Sequence, residues 1–204
     1  YVQLRENWEQ DRAQLKQFAA ALAITNRRLQ HAAHTDLLTG LPNRRAGLDI
    51  LSHAWSAALR GNQTVSVMMV DVDHFKSIND THGHAVGDKV LVELGKVIRD
   101  AVRSDDQVCR LGGEEFLVVC QNTDVSGVLQ VAERLRENVQ RTAVYVGDAR
   151  IPVSVSIGVA CREPGTTDVD ELVKAADKAL YAAKHAGRNR TCLNVDGRLR
   201  VRQA

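Results

Sequence analysis

The run Val65-Ser66-Val67-Met68-Met69-Val70-Asp71-Val72-Asp73 decides how the rest of the chain is read. From Val65 to Val72 it is apolar and rich in β-branched residues, the pattern of a buried strand. Its far end breaks that pattern with carboxylates. A carboxylate at such a place is costly to bury unless it is paired or holds a metal. The strand is therefore expected both to form the centre of a sheet and to deliver Asp71 to a site.

Working outward, the flanking segments alternate between helix and strand. Upstream, Pro42 precedes a helix expected from about Asn43 to Gly61. Downstream, a helix is expected from about Val86 to Val102. Strands Gln107 to Leu111 and Glu115 to Cys120 flank Gly112-Gly113 and read as a hairpin. Asp124 is expected to cap a helix reaching Arg141. Strands Ala143 to Val146 and Ile151 to Ala160 follow, joined across Gly147-Asp148. Thr167 and Asp170 have the spacing of a capping box for a last helix, whose face Leu172, Ala176, Leu180 and Ala183 points inward and which Gly187 stops.

The first 34 residues hold neither Gly nor Pro and read as one helix. Leu4, Trp8, Asp11, Leu15, Phe18, Leu22, Thr25, Leu29 and Ala32 recur at alternating steps of four and three, a heptad seam with polar breaks at Asp11 and Thr25. Arg5, Glu9, Arg12, Gln14, Arg27 and Arg28 fill its flanks. A coiled coil is the preferred reading, and an amphipathic helix lying on its own domain is the alternative. The expected organisation is thus a coiled-coil linker over residues 1–34, a mixed α/β domain over 35–193 and a basic tail over 194–204. Trp8, Phe18 and Trp55 are read as packing residues. The start at Tyr1 suggests a piece of a longer protein.

Bulk properties exclude several classes. Apolar residues make up 44% of the 204 and charged residues 25%, the balance of a globular protein that needs no staples. Lys and Arg number 27 against 25 acidic residues, a formal net charge of +2. That evenness gives no ground for a nucleic-acid or membrane-surface partner, and the run Gly197 to Arg202 is read as solvated. No apolar stretch approaches a bilayer span and no signal peptide is visible. Cys109, Cys120, Cys161 and Cys192 are too far apart for a metal knuckle or redox pair, and are expected to be buried free thiols in a reducing cytosol.

Two further groups break the rules of core design. Gly112-Gly113-Glu114-Glu115-Phe116 places two acids on a hairpin tip whose glycines permit a close approach to a ligand. Lys184 and Arg188, four apart, can project from one side at the end of the last helix. Each has a plainer reading, because a cation at a helix C-terminus complements the macrodipole. Asp73 is read either as a cap of the following turn or as a metal neighbour. His74, His82 and His84 are better explained by turn packing than by a transition-metal site. Together, carboxylates for hard cations and basic side chains for phosphates are the parts phosphoryl transfer requires.

These residues resemble the diguanylate cyclase (GGDEF) family. Gly112 to Phe116 is the GGEEF form of the signature. It is accompanied in order by Asp36-Leu37-Leu38-Thr39-Gly40-Leu41-Pro42-Asn43-Arg44-Arg45, Asp71-Val72-Asp73-His74-Phe75-Lys76, Asn79-Asp80, Gly83-His84, Gly87-Asp88, Ser156-Ile157-Gly158-Val159 and Ala183 to Asn189. The resemblance runs from residue 34 to residue 193, and ordered motifs over that span are far more specific than the signature alone.

The resemblance implies a mostly antiparallel α/β (α+β) sheet flanked by helices, of the nucleotide-cyclase or polymerase-palm kind, and condensation of two GTP into cyclic di-GMP. It implies that Asp71, Glu114 and the Val72 carbonyl bind Mg2+, with Mn2+ as a substitute, and that Glu115 lies at the metals. Asn79 and Asp88 would read guanine, a base that offers N1–H and an amine to a carboxylate. Lys76, Lys184 and Arg188 would contact phosphates, with backbone N–H groups near His74 and Phe75. The general base is left open between Glu115 and solvent activated at the metal.

Arg103-Ser104-Asp105-Asp106 fits the family's RxxD motif for product inhibition, with Arg134 as a further basic contact; an exposed ion pair is the plainer reading. One domain holds one GTP, so two must face each other. The expected partners are GTP, cyclic di-GMP, a second copy joined through the N-terminal helix, and an upstream sensory or receiver domain. The alternatives are a GTP or cyclic di-GMP receptor without turnover, against which the intact carboxylates speak, and a relaxed-specificity enzyme making a mixed dinucleotide, against which Asp88 speaks.

Overall fold

The computed structural model describes residues 8, 12, 14–25, 33–61, 63–142, 144–146, 149–162, 168–195 and 197–201. Residues 14–25 form helix α1, and Trp8 and Arg12 before it are also helical. The seam positions Leu4, Asp11, Leu29 and Ala32 and the flanking Arg5, Glu9, Arg27 and Arg28 lie outside the described residues, as do Gly147-Asp148 and Thr167. Trp8, Leu15, Phe18 and Leu22 are exposed, so among the described residues nothing buries Trp8 or Phe18. Trp55, by contrast, is buried.

The remaining elements run α2 (Arg44–Gly61), β1 (Val65–Val72), α3 (Phe75–His82), α4 (His84–Ala101), β2 (Gln107–Gly112), β3 (Glu115–Gln121), α5 (Val125–Arg141), β4 (Val144–Val146), β5 (Ala149–Ile151), β6 (Val155–Cys161), α6 (Val169–His185), β7 (Thr191–Val195) and β8 (Arg198–Val201). The main sheet has the order β2-β3-β1-β6-β7-β8, and β4 and β5 form a separate hairpin. Every neighbouring pair is antiparallel except β6 and β7, which α6 joins as a parallel crossover. This is the mixed, mostly antiparallel sheet expected.

β1 is central and every residue in it is buried. Its period of two divides the core. Met68, Val70 and Val72 face a cluster built with α3, α4 and α5, including Ile78, Leu91, Ile98, Val128 and Leu135. Val65, Val67 and Met69 face the opposite cluster, with Leu51 and Trp55 of α2 and Leu172, Ala176 and Leu180 of α6. Asp71 belongs by parity to the second face, so it emerges beneath α6.

Gly158 sets the distance between β6 and α6. A Cβ there would collide with the Ala176 carbonyl and the Leu180 nitrogen, so the helix backbone rests directly on the strand. The helix opens at Asp168, whose carboxylate accepts the Glu171 amide at 2.8 Å, which places the cap between the expected Thr167 and Asp170. At the starts of α2 and α5, Asn43 accepts from the Ala46 amide and Asp124, the expected cap, from the Gly127 amide.

Four differences from the expected elements have physical causes. The segment after Asp73 forms a helix of its own, α3, because Phe75 and Ile78 supply just enough apolar surface to seat one short amphipathic piece. The expected strand from Ile151 to Ala160 is broken at Pro152, which cannot donate to a ladder; Ile151 stays with β4 and only Val155 onward joins the sheet. The sheet continues beyond residue 193 through β7. The basic run at the end pairs with it as β8, an exposed edge strand. All four cysteines are buried thiols in strands, none in a disulfide, and burial pushes the Cys109 thiol up to about 12.

Candidate active site

The site gathers where β1 ends, where the β2–β3 hairpin turns and where α6 stops. Asp71 pairs in register with Glu115 across β1 and β3. The Val72 amide donates to the Glu114 carbonyl at 3.3 Å, so both acids of the hairpin tip are held beside the end of β1. From above, Lys184 reaches down to Asp71, Nζ to Oδ2 at 2.7 Å. The aspartate is buried and the lysine about one-third exposed, 32%.

The electrostatics are those of a crowded anionic pocket. Burial raises the Asp71 carboxyl above its ordinary range even though Lys184 opposes it, and Glu115 and Asp73 add repulsion. Glu114 is raised as well, by burial first and then by Asp71. Two crowded carboxylates whose ionisation burial opposes, Asp71 and Glu114, suit a divalent cation. Their hard oxygen donors match magnesium, which takes one or two carboxylates and completes its shell with water and phosphate oxygens. Among the described residues no three His, Cys, Asp or Glu side chains already converge as a closed cage. An open pair of carboxylates with a strand-end carbonyl at Val72 is the arrangement that leaves room for a nucleotide's oxygens.

The hairpin is gripped by a residue the motif reading passed over. Gly112 and Gly113 both have positive φ, 141° and 52°, which lets the chain turn tightly. The Arg110 guanidinium then binds the Gly113 carbonyl through Nε at 3.1 Å and Nη2 at 2.7 Å. Its Nη1 contacts both oxygens of Asp36, at 2.9 and 3.1 Å. Asp36 also receives the Thr39 amide at 2.9 Å and hydroxyl at 2.7 Å. Burial resists ionisation of Asp36, yet the Thr39 and Arg110 bonds outweigh it and hold the carboxyl below the usual range. The signal in the sequence was an arginine two residues before Gly112, interrupting the apolar Val108, Cys109 and Leu111.

Asp73 neither caps the following turn nor faces the hairpin acids with a free edge. It is buried, accepts from Ser154 Oγ at 2.7 Å, Ser156 Oγ at 2.6 Å and the Asn189 amide at 2.9 Å, and so anchors the turn after α6. Arg188 is exposed on that turn, one residue before the anchored Asn189. His74, at the head of α3, has φ 57°, and its side chain makes no cap; the amides of the first turn of α3, at Phe75 and Lys76, follow it. Lys76 is exposed.

Asn79 lies on α3 and Asp88 on α4, and the two helices touch where Asn79 meets Gly87. Asn79 Oδ1 is buried without a hydrogen-bond partner, and it lies against Gly87 so tightly that a Cβ there would overlap it. A buried acceptor left unpaired is a place where a donor from a ligand belongs. Asp88, next along α4, is exposed and lines a cleft of about 470 Å³ with Leu38, Val92, Val144 and Tyr145 among its walls.

Arg103, Asp106 and Arg134 stand apart, at the opposite end of the hairpin strands and roughly 17 Å away by strand rise. Arg103 is exposed and Asp106 buried, and Asp106 Oδ2 accepts from the Arg103 amide at 3.2 Å, so the pair closes a turn rather than a side-chain ion pair. They line a polar cleft of about 440 Å³ with Ser104, Gln107 and Gln121. Arg134 gives Nη2 to the Ala101 carbonyl at 2.6 Å and thereby covers the end of α4 beside that turn.

Comparison with known proteins agrees with this geometry. Residues 33–190 match the family model described as "Diguanylate cyclase, GGDEF domain". Diguanylate cyclase A of Treponema denticola is 40% identical over 178 residues, 86% of this chain and 48% of its own length. Diguanylate cyclase DgcM of Escherichia coli is 43% identical over 162 residues, 79% of this chain and 38% of its own length. The chain thus spans about half the length, or less, of these curated relatives. Among solved structures, the coiled coil and GGDEF domain of DgcB from Caulobacter crescentus in complex with c-di-GMP superposes with a TM-score of 0.85 at 32% identity, covering 91% of this chain and 97% of that one. The active GGEEF domain of a diguanylate cyclase from Vibrio cholerae superposes with a TM-score of 0.71 at 33% identity, covering 80% and 99%. With the signature hairpin, the strand-end aspartate and the opposing lysine all in place, the chain belongs to the GGDEF-domain diguanylate cyclase family.

Proposed function

We propose that this chain condenses two GTP into cyclic di-GMP with release of two pyrophosphates. The observation that carries the reading is the buried Asp71, in register with Glu115 and paired to Lys184 at 2.7 Å. Asp71, Glu114 and the Val72 carbonyl, with Glu115 beside them, would hold Mg2+, or Mn2+ in its place. The bound cation offsets triphosphate charge. Lys184 and Arg188 on one side, and Lys76 with the amides near His74 and Phe75 on the other, receive the phosphates. Asn79 and Asp88 read the guanine edge. In each half-reaction a 3′-hydroxyl of one GTP forms a bond to the α-phosphorus of the other and gives its proton to Glu115 or to solvent, the α–β anhydride bond breaks, and pyrophosphate leaves in line.

Because each nucleophile belongs to the other substrate, two copies have to face each other, and positioning is the main problem. The exposed Trp8, Leu15, Phe18 and Leu22 on one helix support pairing of two copies through a coiled coil that raises their effective concentration. A sensory or receiver domain ahead of that helix, in a cytoplasmic protein or the cytoplasmic part of a larger one, fits the same scheme. No helix among the described residues is long and apolar enough to cross a membrane. The cleft at Arg103 and Asp106, with Arg134, is proposed to bind the product as a feedback inhibitor.

Incubation with GTP and Mg2+, followed by chromatography, tests the reading: cyclic di-GMP and pyrophosphate are expected from the wild type and neither from Glu114→Ala or Glu115→Ala. Nucleotide binding without turnover would support a receptor instead.

A further inference from the structure

The turn that carries Arg188 is built from three consecutive residues of positive φ: Gly187 at 115°, Arg188 at 62° and Asn189 at 44°. Glycine accepts this at little cost, but for the two L side chains each such conformation is disfavoured and persists only where neighbours over-determine it. The neighbours here are specific. The Arg188 amide donates to the Ala183 carbonyl at 3.1 Å, and the Asn189 amide to Asp73 at 2.9 Å. Neither bond involves the Asn189 side chain. Its Oδ1 accepts from Arg136 Nη1 at 3.1 Å, a contact between residues 53 apart in sequence.

Arg136 is an unusual residue for its position. It lies among the core-facing residues of α5, only 5% exposed, alongside Ala132, Leu135 and Val139. A buried guanidinium is expensive unless each part of its fork is used. Here Nε meets Glu133 at 3.1 Å, and Nη1 is shared between Gln140 at 3.2 Å and Asn189. Glu133 neutralises the charge and Gln140 fixes the plane. The second bond of that same Nη1 reaches the turn after α6.

We propose that Arg136 and Asn189 are a positioning pair for the triphosphate: through Asn189, Arg136 locks the left-handed turn so that Arg188 stands at a fixed distance from Lys184 and Asp71. The proposal rests on the GTP reading above. It gives α5, which supplies no residue to the proposed active site, a part in substrate affinity. It also explains why an asparagine follows Arg188: among common side chains it tolerates positive φ and still offers an acceptor.

Arg136→Met, Arg136→Lys, Asn189→Gly and the double variant Arg136→Met/Asn189→Gly test this, read by steady-state GTP kinetics, by calorimetric binding of a non-hydrolysable GTP analogue with Mg2+, and by thermal melting. Asn189→Gly keeps the positive φ and the amide to Asp73 and removes only the acceptor. Arg136→Met and Asn189→Gly are each expected to raise KM for GTP and Kd for the analogue about tenfold, with kcat within about threefold, because ground-state and transition-state contacts are lost together. Arg136→Lys is expected to fall between. The double variant should be no worse than about the worse single, the mark of one shared contact. If Arg136→Met fails to fold, Asn189→Gly decides. Melting temperatures that fall while KM and Kd stay within about twofold of the wild type, or fully additive effects, would overturn the pair. A wild type that binds the analogue but makes no cyclic di-GMP would sink the cyclase reading and leave the binding comparison intact.

Discussion

Arg110 bridges Asp36, in the segment that leads into the domain, to the carbonyl of Gly113 at the tip of the signature hairpin, with contacts of 2.9 Å and 2.7 Å. The glycines that make the tip able to approach a nucleotide also leave it without side chains to pack, so its placement depends on this outside grip. Arg110→Ala is expected to lower kcat by about tenfold or more while the fold survives, since a misplacement of about 1 Å suffices for such losses. Arg110→Lys should recover little, because a single ammonium cannot serve two acceptors in a plane. Steady-state kinetics with circular dichroism checks this.

The same bridge makes a statement about acid. Thr39 and Arg110 stabilise ionised Asp36, so its folded-state carboxyl titrates below its unfolded one. Its contribution to stability is complete above the ordinary carboxylate range and disappears as pH falls through the lower, folded value. Asp36→Asn should therefore flatten the acid side of a stability-versus-pH curve measured by urea unfolding, leaving the neutral side displaced but parallel.

Asp71 and Lys184 lend themselves to a double-mutant cycle. Lys184→Met leaves Asp71 buried and unpaired and is expected to cost about 2–3 kcal/mol, discounted for the lysine's partial exposure from what breaking a buried pair costs. Adding Asp71→Asn should return much of that stability and none of the turnover. Denaturant melts and product assays on the four proteins separate the two effects; full activity in Asp71→Asn would overturn the role given to that carboxylate.

Gly87→Ala tests the α3–α4 joint. The added methyl overlaps Asn79 Oδ1, the far end of a side chain that can move, so the fold should survive while the unpaired acceptor is displaced. A rise of about tenfold in KM for GTP is expected, with weaker discrimination against ATP, because losing one matched polar contact is worth about that much. Unchanged KM and selectivity would detach Asn79 from guanine.

At the cleft proposed to bind the product, Arg103→Ala should raise the concentration of cyclic di-GMP needed for half-inhibition by about tenfold or more, the loss of one charge-assisted contact. A dose–response assay with added product reads it directly, and an unchanged curve would remove the site.

How much of this was legible in the sequence depended on how local the cause was. The run from Val65 to Val72 announced a central strand because burial on both faces leaves its mark in every residue. The hairpin announced itself because two glycines have to sit at its tip. α3 did not: its eight residues carry only two buried apolar positions, Phe75 and Ile78, too few to show a helical period. The break at Pro152 was readable from the ring itself and was outweighed by the β-branched alternation after it. Asp73 stayed ambiguous because its three hydrogen bonds come from residues 81 to 116 positions away. Arg110 and Arg136 were passed over for the same reason. A charged residue inside a strand or helix looks like a solvated face until the partner, 74 or 53 residues distant, is known.

Gly158 has a consequence for how this protein can change over time. Because α6 lies on the bare backbone of β6, the height of Lys184 above Asp71 is set by the missing methyl of a residue outside the proposed site. Any side chain at that position works as a shim under a lever: it lifts the helix as a whole and carries the lysine out of reach at the far end. Drift at residue 158 would thus silence the enzyme while its sheet, its hairpin and its signature residues remained unaltered.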